Sequence, residues 1–336
     1  MRIGKINIEK PLLLAPMEDV TDQAFRIVCK RLGADIVYTE FVNSEGLVRN
    51  SEKTKKKMDF REEERPFGIQ IYGGEESSME GAARIAESLQ PDIIDINCGC
   101  WVRNVVGSGA GSGLLRDLPK MERIVSAVVK TVKIPVTIKT RIGWDAESIN
   151  IIDIAKMVEQ TGVSAMTIHC RTRSQAHKGE PDFSWISKAK SAVSIPIIAN
   201  GSLETPQKIR DVFKETSCDG VMIGRGVVDN PWIFKQAKHF LVTGEILPDP
   251  NIEERFRLLM EHLRLSVECK GERKGVIEFR KHYTGYLKGL FGAAKVRQEM
   301  MTFVELDRVI HRLIKYRDEL ISHHNNSLKP DQVVAV

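Results

Sequence analysis

The chain has 336 residues, 42% hydrophobic and 28% charged, with a formal net charge of +5. That composition suits an ordinary globular protein with room for one large domain and a smaller one. No apolar run approaches the roughly 20 residues that span a bilayer, and the start MRIGKINIEKPLLLAP lacks the apolar stretch of a secretory signal. The expectation is a cytoplasmic protein with no membrane contact. Its six cysteines (29, 98, 100, 170, 218 and 269) are scattered, without the spacing of a disulfide framework.

Eight short apolar segments follow in chain order: LLLAPM (12–17), DIVYTEF (35–41), FGIQIYG (67–73), IIDINCG (93–99), VTIKTR (136–141), AMTIHCR (165–171), PIIANG (196–201) and GVMIGRG (220–226). Most are rich in Val, Ile or Leu, as strands buried on both faces should be. Amphipathic helical patterns separate most of them, among them SSMEGAARIAESL, LPKMERIVSAVVKTV, SINIIDIAKMVEQTG and ETPQKIRDVFKET. Eight alternations within residues 1–243 predict a (β/α)8 TIM barrel. A doubly wound sheet is disfavoured by the eight repeats and by the absence of GxGxxG after the first strand. The charged run 51–65 reads as a solvated loop. TGEILPDPN (243–251) reads as a linker, and from Ile252 the periodicity turns helical, predicting a small helical domain over 252–322. A disordered tail is expected over 323–336.

In such a barrel the chemistry sits at the C-terminal ends of the strands. Those ends carry Met17, Gln70, Asn97, Cys100, Lys139, Arg141, His169, Arg171, Asn200, Gly201, Gly224 and Arg225. Each has a plain structural explanation by itself; their convergence on one edge argues for a site. ANGS after the seventh strand and GRG after the eighth look like a phosphate grip, with Arg225 adding a bidentate contact. A flavin mononucleotide (FMN) anchored there would cross the barrel mouth. Lys139 would suit the N1/O2 edge of its reduced form and Gln70 the opposite edge. Zinc is disfavoured at Cys100, because Cys98-x-Cys100 has no second pair at ligand spacing, and no metal is expected. A thiol near its ordinary pKa, about 8.5, stays protonated at neutral pH yet can yield its proton, so Cys100 reads as an acid.

The runs LLLAPMEDVTDQAFR, GIQIYG, DINCGCWVRNVVGSGAGSGLL, IKTRIGWD, TIHCRTRSQAHKG, ANGS and GVMIGRGVVDNPWIF resemble successive motifs of the tRNA-dihydrouridine synthases. FRKHYTGYLKGLFGAAKVR resembles the tail of the bacterial B-type branch. The similarity runs from about residue 12 to about residue 300. It implies an FMN-dependent reductase of specific uridines in tRNA, with NADPH reducing the flavin and hydride passing from flavin N5 to uracil C6. By the same resemblance Cys100 protonates C5, and Asn97 and Arg141 orient the uracil. Met17, Gln70, Lys139, His169, Asn200, Gly201, Gly224 and Arg225 hold FMN, while Arg171 and Gln175 lie in a motif touching flavin or RNA. The basic stretch Lys270–Arg297, with eight Lys or Arg against two Glu, becomes a tRNA grip reading shape and phosphates.

Two departures stand in the cysteine loop, where the family pattern is GCPxxK. Trp101 replaces the proline and Asn104 the lysine, with Arg103 adjacent and placed to take over a phosphate contact. Ribosomal RNA as substrate, a flavin barrel acting on free pyrimidines, and a non-catalytic RNA-binding protein remain the alternatives. Nothing in the sequence points to an obligate protein partner.

Overall fold

A computed structural model describes residues 1–327, with side chains to His323. It divides into two compact units: Met1–Val227 with Trp232–Ile246, and Val228–Pro231 with the chain from Leu247 onward. Of the tail expected over 323–336, residues to Ser327 continue the helix Leu306–Ser327; the remainder lies outside the described residues.

Eight parallel strands build the first unit. They are β1 (Leu12–Leu14), β2 (Val37–Tyr38), β3 (Phe67–Tyr72), β4 (Ile93–Cys98), β5 (Val136–Arg141), β6 (Ala165–His169), β7 (Ile197–Asn200) and β8 (Gly220–Ile223). Each pairs with its sequence neighbours, β8 also pairs with β1, and the ring closes through a parallel bridge between Leu13 and Ile36. Parallel neighbours need a crossover between them, and helices supply most of these. One example is Pro206–Thr216, where Thr205 Oγ1 accepts from the Lys208 amide at 3.2 Å and proline takes the first helical position.

β2 is shorter than the segment 35–41 suggests. The Thr39 hydroxyl accepts the Gln70 N–H at 3.0 Å, standing in for a ladder bond. Pairing with β3 resumes only at Val42–Asn43. The charged run 51–65 departs further from expectation. It holds a short helix, Glu52–Lys56, and Glu64 is buried, accepting from Arg26 Nε at 2.6 Å. Arg26 spends its remaining donors on the Thr21 and Asp59 carbonyls at 3.0 and 2.7 Å, as a buried ion pair requires.

Strand alternation sorts the side chains into two cores. Ile69, Ile71, Ile94, Ile96, Cys98, Ile138, Ile168 and Cys170 face the helices. The inner face carries Leu13, Ile36, Tyr38, Ile93, Ala165, Ile198 and Met222. Ile3 of the antiparallel hairpin Arg2–Ile3/Ile6–Asn7 packs on this inner cluster and is fully buried. Gly68 lets the Tyr38 ring lie across β3: a Cβ there would sit 2.4 Å from that ring.

The second unit is helical: Ile252–Lys270, Glu272–Phe279, Tyr283–Leu287, Ala293–Met300 and Leu306–Ser327. Its first helix opens with a capping box between Asn251 and Glu254. Its core includes Phe256, Leu263, Val276, Phe279, Tyr286, Leu313 and Tyr316. Among the described residues no helix is long and apolar enough to cross a membrane.

Candidate active site

A cavity of about 560 Å³ opens at the C-terminal ends of the strands. Met17, Asn97, Cys100, Lys139, Arg141, His169, Arg171, Asn200, Gly201, Gly224 and Arg225 all line it. Three other candidates do not. Gln70 is fully buried behind the wall, donating from Nε2 to Asp95 at 2.6 Å and accepting from Asn97 Nδ2 at 2.8 Å. Gln175 turns back into its own loop, where Oε1 accepts the Thr172 N–H at 2.7 Å. Arg103 begins the exposed one-turn helix Arg103–Gly107 and is not among the lining residues, and Asn104 beside it is also exposed.

Cys100 follows β4 in a loop held from two sides. Asn97 Oδ1 accepts the Gly99 and Cys100 N–H groups at 3.1 and 2.9 Å. Arg141 Nε donates to the Gly99 carbonyl at 2.9 Å, while its Nη1 reaches the Thr172 and Ala176 carbonyls at 3.0 and 2.9 Å. One guanidinium thus ties the cysteine loop to the loop after β6. Burial pushes the Cys100 thiol above its ordinary range, against the pull of the Val102 amide and of Arg141. The group is an acid at neutral pH.

The cations divide into tethered and unspent. Arg171 is consumed by its surroundings: it donates to the Gly179 carbonyl at 2.8 Å, to Ser202 Oγ at 2.6 Å and to His169 Nε2 at 3.3 Å. That donor fixes the histidine tautomer with its proton on Nδ1. Burial, then Arg141 and Lys139, holds His169 neutral, well below its usual value. Lys139 has one bond, to Asn200 Oδ1 at 3.2 Å, and Asn200 is turned that way by the Met222 carbonyl at 2.8 Å. Burial and the neighbouring Arg141 lower the Lys139 ammonium to about 8. Arg225 is exposed on the cavity wall and makes no hydrogen bond with the described residues.

The acidic lining groups are Glu18 and Glu204, against Lys139, Arg141, Arg171 and Arg225. Desolvation and the field of these cations hold His177 down at about 4. An anion entering here meets donors with no competing partner. Gly201, at φ +142°, has a backbone that favours glycine, and a Cβ there would crowd Pro181 at 3.0 Å.

The sequence alone did not point to His177, Glu18, Ser202 and Glu204 as lining residues. Trp101 is 38% exposed, lines the cavity and meets the His177 ring edge-on at 5.5 Å. His177 lies in the motif TIHCRTRSQAHKG, Glu18 in LLLAPMEDVTDQAFR and Ser202 in ANGS, which were the available signals, while Glu204 opens the helical pattern ETPQKIRDVFKET.

Residues 13–321 match the sequence profile of the family described as Dihydrouridine synthase (Dus). The chain belongs to the dihydrouridine synthase family. Making dihydrouridine saturates the C5–C6 bond of uracil, so the chain is an oxidoreductase. It is 42% identical over 297 residues to tRNA-dihydrouridine synthase B of Pseudomonas syringae pv. tomato, covering 88% of each chain. It is 36% identical over 323 residues to the probable tRNA-dihydrouridine synthase of Rickettsia bellii, covering 96% of this chain and 99% of that one. Among solved structures, a 2-naphthoyl-CoA reductase complex superposes with a TM-score of 0.57 at 15% identity, over 71% of this chain and 51% of the other. Morphinone reductase gives 0.50 at 11% identity, over 75% and 90%. At those identities the likeness speaks for the barrel alone.

Proposed function

We propose that this dihydrouridine synthase acts on uridines of tRNA, with FMN as its resident cofactor, NADPH as reductant and Cys100 as the catalytic acid. The observation that carries the reading is the placement of a protonated, loop-clamped Cys100 on the same cavity wall as two cations with unspent donors, Lys139 and Arg225. The names of the relatives, which specify tRNA, support the substrate.

The donor set fits FMN. Its phosphate suits Arg225 with the backbone at Gly201 and Gly224, and Lys139 suits the ring edge that carries negative charge on reduction. Met17, His169 and Asn200 complete the lining, with neutral His169 offering a hydrogen bond without added charge. Bound flavin supplies the hydride that saturates the uracil ring. Cys100 delivers the proton to C5, and its raised pKa keeps that proton available across neutral pH. Asn97 and Arg141 orient the base while they hold the cysteine loop. The target uridine must leave its stack to reach this wall, and Trp101, exposed at the cavity rim, offers it an aromatic face.

We assign the barrel (1–243) to catalysis and the helical domain (252–322) to tRNA. Arg273, Lys274, Lys288 and Lys295 are exposed there, whereas Lys270 is held by Glu278 at 2.7 Å. Phe291, 76% exposed, adds an aromatic surface. Such a set reads phosphates and shape. The deciding experiment maps dihydrouridine by position in unmodified tRNA incubated with the protein and NADPH. Signal at defined uridines supports the reading. Reduction of ribosomal RNA or free pyrimidine alone, from flavin-loaded protein, overturns the choice of tRNA.

A further inference from the structure

One row of side chains crosses the barrel beneath the cavity, and its hydrogen bonds converge from both sides on a single acceptor, Asp95. Gln70, Asp95 and Thr137 are cross-strand neighbours, as are Asn97 and Lys139. Thr137 Oγ1 donates to Asp95 Oδ1 at 2.6 Å, and Gln70 Nε2 donates to Asp95 Oδ2 at 2.6 Å. Asn97 Nδ2 donates to Gln70 Oε1 at 2.8 Å. The Gly99 and Cys100 N–H groups then donate to Asn97 Oδ1. On the far side Thr137, with Tyr38 beside it, has its own hydrogen spent on Asp95.

A carboxylate only accepts. It therefore obliges Gln70 to present Nε2 to Asp95 and Oε1 to Asn97. Asn97 must answer with Nδ2, which leaves Oδ1 for the backbone that carries Cys100. We infer that Asp95 is a positioning residue: as the common acceptor of this row it sets the amide orientation of Gln70 and Asn97, and through them the loop of Cys100. The functional meaning rests on the role proposed for Cys100. Asp95 is 1% exposed and is not among the residues that line the cavity, so it reaches the Cys100 loop through its neighbours.

The row makes a countable prediction, because Asp and Asn are isosteric. Asp95→Asn gives it one hydrogen too many, and Asn97→Asp one too few. The double change restores the count with Gln70 turned over. The new amide at position 95 then donates to Gln70, and Gln70 donates to the new carboxylate at position 97. That carboxylate still accepts the loop amides. Thermal unfolding and alkylation of Cys100 by iodoacetamide, followed by peptide mapping, are measured at pH 8 on the purified holoprotein. Each single variant should lose about 5 °C in Tm and change the Cys100 alkylation rate at least about threefold. The double variant should regain both. Losses that simply add, or a Cys100 alkylation rate unmoved by Asp95→Asn, would overturn the inference. If a single variant fails to fold, the double variant decides: a parental Tm supports the row and failure to fold refutes it. None of these readouts needs turnover, so a protein showing this pattern without making dihydrouridine would sink the functional proposal and leave the row intact.

Discussion

The two ends of the barrel are made by the same eight strands and do opposite things. At the N-terminal end Leu13, Ile36, Tyr38, Ile93, Ala165, Ile198 and Met222 pack with Ile3 of the hairpin into an apolar cluster. Further along the strands, the inner face becomes Asn97, Lys139, His169 and Asn200, each with a directed partner. The first end stabilises by area removed from water, which tolerates approximate shapes. The second depends on which atom faces which, so isosteric changes matter there and volume changes matter less.

Four experiments sharpen or break that contrast. The largest effect is expected from Cys100→Ala: flavin content and NADPH oxidation stay near the parent while dihydrouridine formation falls by about 10²–10⁴. Product formation within a few-fold of the parent would remove Cys100 from the acid role. Next comes Lys139→Met, which deletes a half-buried cation with two unspent donors. It should weaken FMN retention and slow uridine reduction by about 10²–10³, measured as bound flavin per protein and as turnover.

Leu13→Ala tests the other end. It should cost about 2–5 kcal/mol of stability in denaturant unfolding, while the turnover of folded protein at 25 °C stays unchanged. A matching loss of turnover would show that the two ends are coupled. The smallest effect concerns pH. The Lys139 pKa is lowered to about 8, so its charge is present below that pH and lost above it. A ligand that needs the cation binds progressively less well as pH rises through 8, by up to about tenfold per unit. FMN titrations of the apoprotein by fluorescence quenching should show that limb, and Lys139→Arg, charged at every accessible pH, should abolish it.

The alternation of short apolar segments with amphipathic helices made the barrel legible, because burial on both faces leaves strands little compositional choice. Eleven of the proposed site residues could be placed on the cavity wall for the same reason: a residue at the C-terminal end of a barrel strand has nowhere else to go. Gln70 shows the limit. Its position at a strand end suggested direct contact, yet its register with Asp95, two residues deeper than Asn97, puts it behind Asn97, where Asp95 claims its amide. Gln175 lies in a loop and Arg103 opens a one-turn helix that follows one, and the path of such loops depends on long-range bonds such as those from Arg141 to residues 99, 172 and 176. Glu64 misled in the other sense, since a charge in a hydrophilic run gives no sign of a buried partner 38 residues away.

Period, length and residue type are local quantities. They determined the strands, the order of the barrel, the helical segment after it and the thiol at the reactive edge. Hydrogen-bond direction, charge state and loop path are set by atoms distant in sequence. Only the tertiary structure could therefore decide that Lys139 keeps unspent donors, that Arg171 does not, and that Asp95 governs Cys100 from below.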